Sequence, residues 1–203
     1  MLGKTHMAVG VASSLLLLPP SNIQELVLGT GAAAVGAVIS DIDVGTSDSH
    51  KEADKIIAVF VLIVAAMIAV EYIWHLGLYN KIVRNTNTER IVMAVAGFLL
   101  ICAFGKEQPH RSFMHSFLGL VSLTGCVTVF LPMVAPYFAV AFLSHLAIDF
   151  LNKRGLRLLF PIKKGFSLDL CSSKGLINKC LLGIGTVASV GLFIFRLGDF
   201  YLW

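Results

Sequence analysis

Charge is what this chain has least of. Only 14% of its 203 residues are Asp, Glu, Lys or Arg, whereas 57% are apolar; soluble domains carry about 25% and roughly 45–50%. So few charges cannot coat a water-soluble globule, and a mean hydropathy of +0.83 points to a bilayer as the solvent. Cysteine is scarce too. Cys102, Cys126, Cys171 and Cys180 show no CxxC spacing, which excludes a disulfide scaffold or metal ribbon and leaves them as small apolar residues in helices. There is no internal repeat and no low-complexity tract, and disordered, coiled-coil and collagen-like classes are excluded by the same composition.

What is present is apolar sequence in long stretches. Runs cover 7–19, 23–39, 56–78, 91–105, 117–131, 135–151 and 180–195. A crossing takes ~20 residues, with a lower limit near ~17, so polar residues are expected to lengthen the shorter runs at their ends. Pro132 and Pro136 bracket a tight turn between the fifth and sixth runs, and Pro19-Pro20-Ser21-Asn22 separates the first from the second, because proline cannot continue a helix interior. The pattern predicts an all-α, polytopic transmembrane bundle of about seven helices. It forms a single integral membrane domain over 1–203, within which 152–179 is a basic interfacial loop or lid. The first run, preceded by Lys4, has the outline of a signal peptide, but no small-residue cleavage site follows it. Retention is the expectation.

Seven crossings put the N-terminus and the loops 40–55, 106–116 and 152–179 on one side. Of the 16 Lys and Arg residues, only Lys81, Arg84, Arg90 and Arg196 fall on the other. The positive-inside bias assigns the richer side to the cytoplasm. This predicts a multi-pass protein of the cytoplasmic membrane.

Ionisable groups beside apolar spans are expensive, about 2.5–3.5 kcal/mol for Asp at a helix centre, so those that persist carry information. His6 opens the first span. Asp41 and Asp43 close the second, His110 and His115 precede the fifth, and His145 and Asp149 occupy the last turns of the sixth. The alternation of crossings puts all seven on one side. His145 and Asp149, four apart, share a helical face. Asp41 and Asp43 lie two apart near a helix end, and close carboxylates repel unless a cation lies between them. The five-residue spacing of His110 and His115 suits a loop leading into a helix. Imidazole nitrogens with carboxylate oxygens favour zinc, with manganese or iron as alternatives. Seven donors exceed the four of one zinc, so two or more ions are predicted. His50 is expected to be merely interfacial. Glu71 and His75, among Tyr72, Trp74 and Tyr79, read as part of an aromatic belt at the opposite face.

Arg111 stands between two of the histidines. A guanidinium there suits phosphate oxygens as well as snorkelling to headgroups. The following stretch 152–164 mixes Lys153, Arg154, Arg157, Lys163 and Lys164 with apolar residues, which fits either an anionic leaflet or a lid over the site. Nucleic acid is not an expected partner, because the net charge is only +4 and no stacking platform is evident.

Taken in order, Thr5-His6…Gly10, Asp41-Ile42-Asp43, His110-Arg111…His115-Ser116 and His145…Asp149, with Phe160-Pro161 downstream, resemble the YdjM-like family of membrane-bound metal-dependent hydrolases, itself distantly similar to zinc-dependent phospholipase C. The resemblance covers residues 5 to about 165. Ser40 stands where proline is common in that family and Met114 where threonine is common; neither is a presumed ligand. The resemblance implies an inner-membrane, metal-dependent hydrolase acting on a phosphoester of a lipid or other membrane-associated substrate. On that reading Asp41 and Asp43 bridge or orient the ions, Arg111 holds a phosphate oxygen, and Lys153 and Arg154 add substrate contacts. Two rivals belong to other classes. A divalent-cation transporter or sensor should hold its ligands at mid-bilayer on broken helices. A membrane scaffold would use metal only to staple its helices.

Overall fold

The computed structural model describes residues 1–45, 86–172 and 175–202, with a few positions between 50 and 73. Six α-helices are described: α1 (Gly3–Leu17), α2 (Ile23–Val38), α3 (Thr86–Lys106), α4 (Phe117–Phe130), α5 (Ala135–Phe150) and α6 (Leu176–Leu202). Short 3-10 stretches at Ile39–Asp43, Phe113–His115 and Pro132–Val134 join them. The class is all-α, as expected; extended pairing among the described residues is limited to the isolated bridges Asn152–Cys171 and Leu156–Phe166.

The sequence accounts for the boundaries. Asn22 caps α2 by accepting from the Glu25 amide, while the Glu25 carboxylate accepts from the Ser21 N–H, each at 2.8 Å; such reciprocal caps satisfy donors that a helix start leaves over. Ser116 does the same for the Gly119 amide at the start of α4. Pro136 lies in the first turn of α5, where its missing N–H costs nothing.

Four segments are long and apolar enough to cross a bilayer: Ile23–Asp43, Asn87–Lys106, Pro132–Phe150 and Leu176–Phe200. Six of the seven expected runs coincide with α1 to α6. Most of the third, 56–78, lies outside the described residues, as do Glu71 and His75. Among the described residues, then, four helices meet the length and apolarity of a crossing, and the expected count of seven is not established. α1 and α4 have 15 and 14 residues, about 21–22 Å of helix against a hydrocarbon core of ~30 Å. Polar residues do extend α1 at its start, through Lys4, Thr5 and His6, but the prolines that follow α1 and α4 keep both short.

α1, α2 and α5 pack against one another, α6 lies along α1, and α3 pairs with α4, which leans on α5. Small residues set the closest crossings. A Cβ on Gly36 would come 2.5 Å from the Phe138 carbonyl oxygen, and one on Gly10 would come 2.5 Å from the Ala37 Cβ. Close backbone approach of this kind is what holds helices together where lipid removes the hydrophobic drive. The four cysteines are free. This packing gathers the first turn of α1, the end of α2, the loop before α4 and the end of α5 at one end of the bundle.

Candidate metal centre

Each element meeting at that end brings one or two of the predicted side chains. His6 comes from the first turn of α1 and is fully buried; its Nε2 lies 3.2 Å from Asp149 Oδ1. Its ring stacks on that of His145, centroids 3.7 Å apart. The 3-10 stretch after α2 supplies Asp41 and Asp43, and the 3-10 stretch before α4 supplies His115. His110 sits in the loop just ahead, its Nδ1 2.8 Å from Asp43 Oδ1. The seven residues form three trios whose donor atoms lie within 4.8 Å of one another: His6 with His145 and Asp149, Asp41 with His115 and His145, and Asp43 with His110 and His115. His145 and His115 link the trios into a chain. His50 belongs to none; its Nδ1 faces the Ile42 carbonyl at 2.5 Å.

The donor set fits cations on its hydrogen-bond accounting. His145 Nδ1 is 2.7 Å from the Ala37 carbonyl, an acceptor only, so Nδ1 carries the proton and the neutral ring offers a lone pair at Nε2. That Nε2 faces His115 Nε2 at 3.2 Å. His115 Nδ1 in turn lies 3.2 Å from Asp43 Oδ2, also an acceptor only, and without hydrogen-bond alignment. A neutral His115 has one proton for two acceptors. One contact must therefore set lone pair against lone pair, unless the ring takes a second proton or a cation stands between. His115 Nε2 is also 3.8 Å from Asp41 Oδ1 and 3.7 Å from Asp149 Oδ2, and His145 Nε2 is 3.7 and 3.9 Å from the same two atoms. Ligands of a tetrahedral zinc at ~2.0–2.1 Å stand about 3.3 Å apart. The His6 nitrogens are likewise buried without hydrogen-bond partners.

Positive groups already crowd the carboxylates. The Met1 α-ammonium is 2.5 Å from Asp149 Oδ1, and Arg111 Nη2 is 3.3 Å from Asp149 Oδ2. Arg111 adopts φ 66°, a left-handed conformation that costs a non-glycine residue roughly 1–2 kcal/mol. That backbone aims its N–H at Asp43 Oδ2, 3.1 Å away, while its guanidinium also donates to the Arg154 carbonyl. Above the cluster opens a cavity of about 530 Å³ whose lining includes Asp41, His110, Arg111, Asp149, Lys153 and Arg154. The sequence-expected metal donors and substrate contacts thus meet in one place.

Sequence reasoning missed the amides. Asn152, 3% exposed, donates to Asp149 Oδ1 at 2.8 Å. Asn178, 2% exposed, accepts from the Thr5 hydroxyl at 2.9 Å and from the Leu2 N–H at 3.3 Å, tying the His6-bearing turn to α6. Their one available signal was position: Asn152 falls three residues after Asp149, just beyond the helix end, and Asn178 opens an apolar span.

The arrangement is a rim of imidazoles and carboxylates, all but His110 and Asp41 buried, that could hold metal, under a cavity lined by both acidic and basic side chains, at the end of membrane-spanning helices. No curated protein and no solved structure matches the chain. The sequence pattern of the family described as YdjM inner membrane protein matches residues 1–198, all but the last five positions of the 203. The chain therefore belongs to the YdjM inner membrane protein family.

Proposed function

We propose that this protein is a metal-dependent hydrolase of the inner membrane that cleaves a phosphoester of a lipid or other membrane-associated substrate. The observation that carries the reading is the union of two features. Seven donor residues from four distant segments meet, with His145 Nε2 and His115 Nε2 only 3.2 Å apart, and a cavity lined by Arg111, Lys153 and Arg154 opens on them. His6, His145 and Asp149 would hold one divalent ion, and Asp41, Asp43, His110 and His115 the remainder, with zinc the best match to the donors. Bound there, such ions lower the pKa of water toward ~7 and offset charge on the phosphoryl group.

The rest falls to the chain. Arg111 lines the cavity, held by its contacts to the Arg154 carbonyl and Asp149, and its remaining guanidinium N–H groups would hold a phosphate oxygen. Its strained backbone fixes Asp43 through the N–H, so the phosphate clamp and a proposed ligand share one rigid residue. Asp41 is partly open to the cavity, its side chain 16% exposed, which suits it to orient an attacking water. Lys153 and Arg154 at the mouth favour an anionic substrate.

One observation favours a structural metal instead. His6, His115 and His145 are each 0% exposed, as ligands of a stapling ion tend to be. A transporter fares worse, because the donors cluster at the ends of spans rather than at mid-bilayer. The test is to purify the protein in detergent, measure bound metal by mass spectrometry, and assay phosphodiesters with and without chelator. The expected result is at least one zinc per chain and activity that chelation abolishes and zinc restores. Bound metal with no hydrolysis favours the staple. No metal, with wild-type activity in Asp149→Ala, overturns the proposal.

A further inference from the structure

The segment between α5 and α6 begins where the span Pro132–Phe150 ends and finishes where Leu176–Phe200 begins. Both of its roots therefore leave the bundle at the membrane boundary. It is irregular but pinned. Leu156 and Phe166 exchange backbone hydrogen bonds at 2.8 Å, and the amides of Leu168 and Leu170 donate to the carbonyls of Phe150 and Leu151 at 2.8 and 3.0 Å. The Leu158 carbonyl accepts from the Phe117 amide at 3.0 Å.

A strap held this way cannot turn all its apolar side chains inward. Phe160 does face the bundle, edge-on to Phe113 with centroids 5.5 Å apart. Leu159, Ile162, Leu168 and Leu170 face out, at 49%, 56%, 50% and 66% exposure. Lys163 and Lys164 are exposed among them. Loops that run through water are polar, and a rigid patch of projecting aliphatic side chains marks an interaction surface. Over 151–172 the strap carries Lys153, Arg154, Arg157, Lys163 and Lys164 against one acid, Asp169, and this excess of positive charge suits an anionic partner.

We infer that this strap is a docking surface for the leaflet in which the protein's own helices stand. Its four aliphatic side chains seat at the level of the acyl chains, and Lys163 and Lys164 bind the phosphates of anionic phospholipids. Basic residues beside inserted apolar ones are the general form of such surfaces. Two features favour lipid over a soluble partner: the strap is continuous at both roots with membrane spans, and its charge complements an anionic headgroup layer. The same roots, through Lys153 and Arg154 on one side and Cys171 and Ser172 on the other, line the cavity. The cavity mouth then opens at headgroup level. This inference does not depend on whether the site hydrolyses anything.

The test uses the full chain with Trp74→Phe and Trp203→Phe as background and Ile162→Trp as the probe. The protein is reconstituted into phosphatidylcholine bilayers with and without phosphatidylglycerol, one lipid at a time carrying brominated acyl chains. The expected result is quenching of the new indole by brominated lipid, about twofold stronger from phosphatidylglycerol than from phosphatidylcholine. Lys163→Glu with Lys164→Glu should erase that preference. Leu170→Trp in the same background repeats the measurement at the other flank, should the first variant fold poorly. Indoles at both positions that resist brominated lipid but yield to aqueous iodide would place the strap in water. Indoles shielded from lipid and iodide alike would place a protein partner on it. Either outcome overturns the inference. Equal quenching by the two lipids, unchanged by charge reversal, overturns the anionic assignment.

Discussion

The two ends of the α1–α2–α5 trio treat buried polar groups in opposite ways. At the end away from the cavity, donors and acceptors match. The Ser14 hydroxyl donates to the Tyr137 carbonyl at 3.0 Å, the Tyr137 hydroxyl donates to Glu25 Oε1 at 3.2 Å, and the other Glu25 oxygen takes the Ser21 amide. At the cavity end the accounting does not close. The His115–His145 and His115–Asp43 contacts can both be ordinary hydrogen bonds only if the His115 ring carries a second proton. The first end is a joint that stabilises itself. At the second, a neutral His115 leaves one contact unmatched, at roughly 1–3 kcal/mol, which a proton or a cation would offset. The same three helices thus carry one end that builds the fold and one whose His and Asp groups could hold a metal ion, and function is sought at the second.

The largest effect that would sharpen this contrast comes from His115, which belongs to two of the three trios. His115→Ala should lower bound zinc and reduce phosphodiester hydrolysis by more than the about 10–100-fold that losing a ligand's supporting partner costs. Metal analysis and turnover measured on the same preparation would check both. Wild-type metal content in that variant would break the contrast. Chelation comes next. A ligand present at about a hundred times its Kd adds ~2.7 kcal/mol to the folded state, so removing metal should lower the melting temperature of the wild type, and lower that of His115→Ala by less, because this variant keeps only the His6–His145–Asp149 trio intact. A smaller effect is expected from Asn152→Ala. Its amide holds Asp149 Oδ1 without being a proposed ligand, and its loss should weaken zinc about tenfold by isothermal titration while leaving the stoichiometry unchanged.

The cavity end was largely legible because ionisable groups in an oily chain are rare and expensive. Seven of them, His6 through Asp149, stood out by type and sidedness before any contact was known, and the fold brings all seven together. Helix positions were legible for the same economy of signals: the six described helices fall on six of the seven apolar runs. The amides were not. Asn152 and Asn178 carry no charge and cost little at a span end, so composition gives no hint of them; their roles arise from contacts to Asp149 and to Thr5 across the bundle. The number of crossings was also hidden, because a short apolar run such as 117–131 reads alike whether it spans the bilayer or stops inside a bundle. Nor does a linear pattern tell that Phe160 turns inward while Leu159 turns out, since the pinning bonds from Leu156, Leu158 and Leu168 decide it.

The smallest effect tests the other half of the comparison. Tyr137 is 2% exposed and its ring fills the space against Gly29, where an added Cβ would come 3.0 Å from the Tyr137 Cδ1. Tyr137→Phe keeps that packing and deletes only the hydroxyl that donates to Glu25. A neutral donor given to a charged acceptor contributes roughly 1.5–3 kcal/mol, and an ordinary pair about 1. Glu25 keeps its bond from Ser21 and lies near the surface, so the lower figure applies. The variant should therefore melt a few degrees lower in detergent, by the same amount with and without chelator, and should bind zinc and turn over phosphodiester as the wild type does. Additivity of the Tyr137→Phe and His115→Ala losses is expected as well, because sites at opposite ends of the helices share no partner. A metal-dependent difference in the Tyr137→Phe melting shift would mean that the two ends are coupled through α5, and the division into a structural end and a ligand-requiring end would not hold.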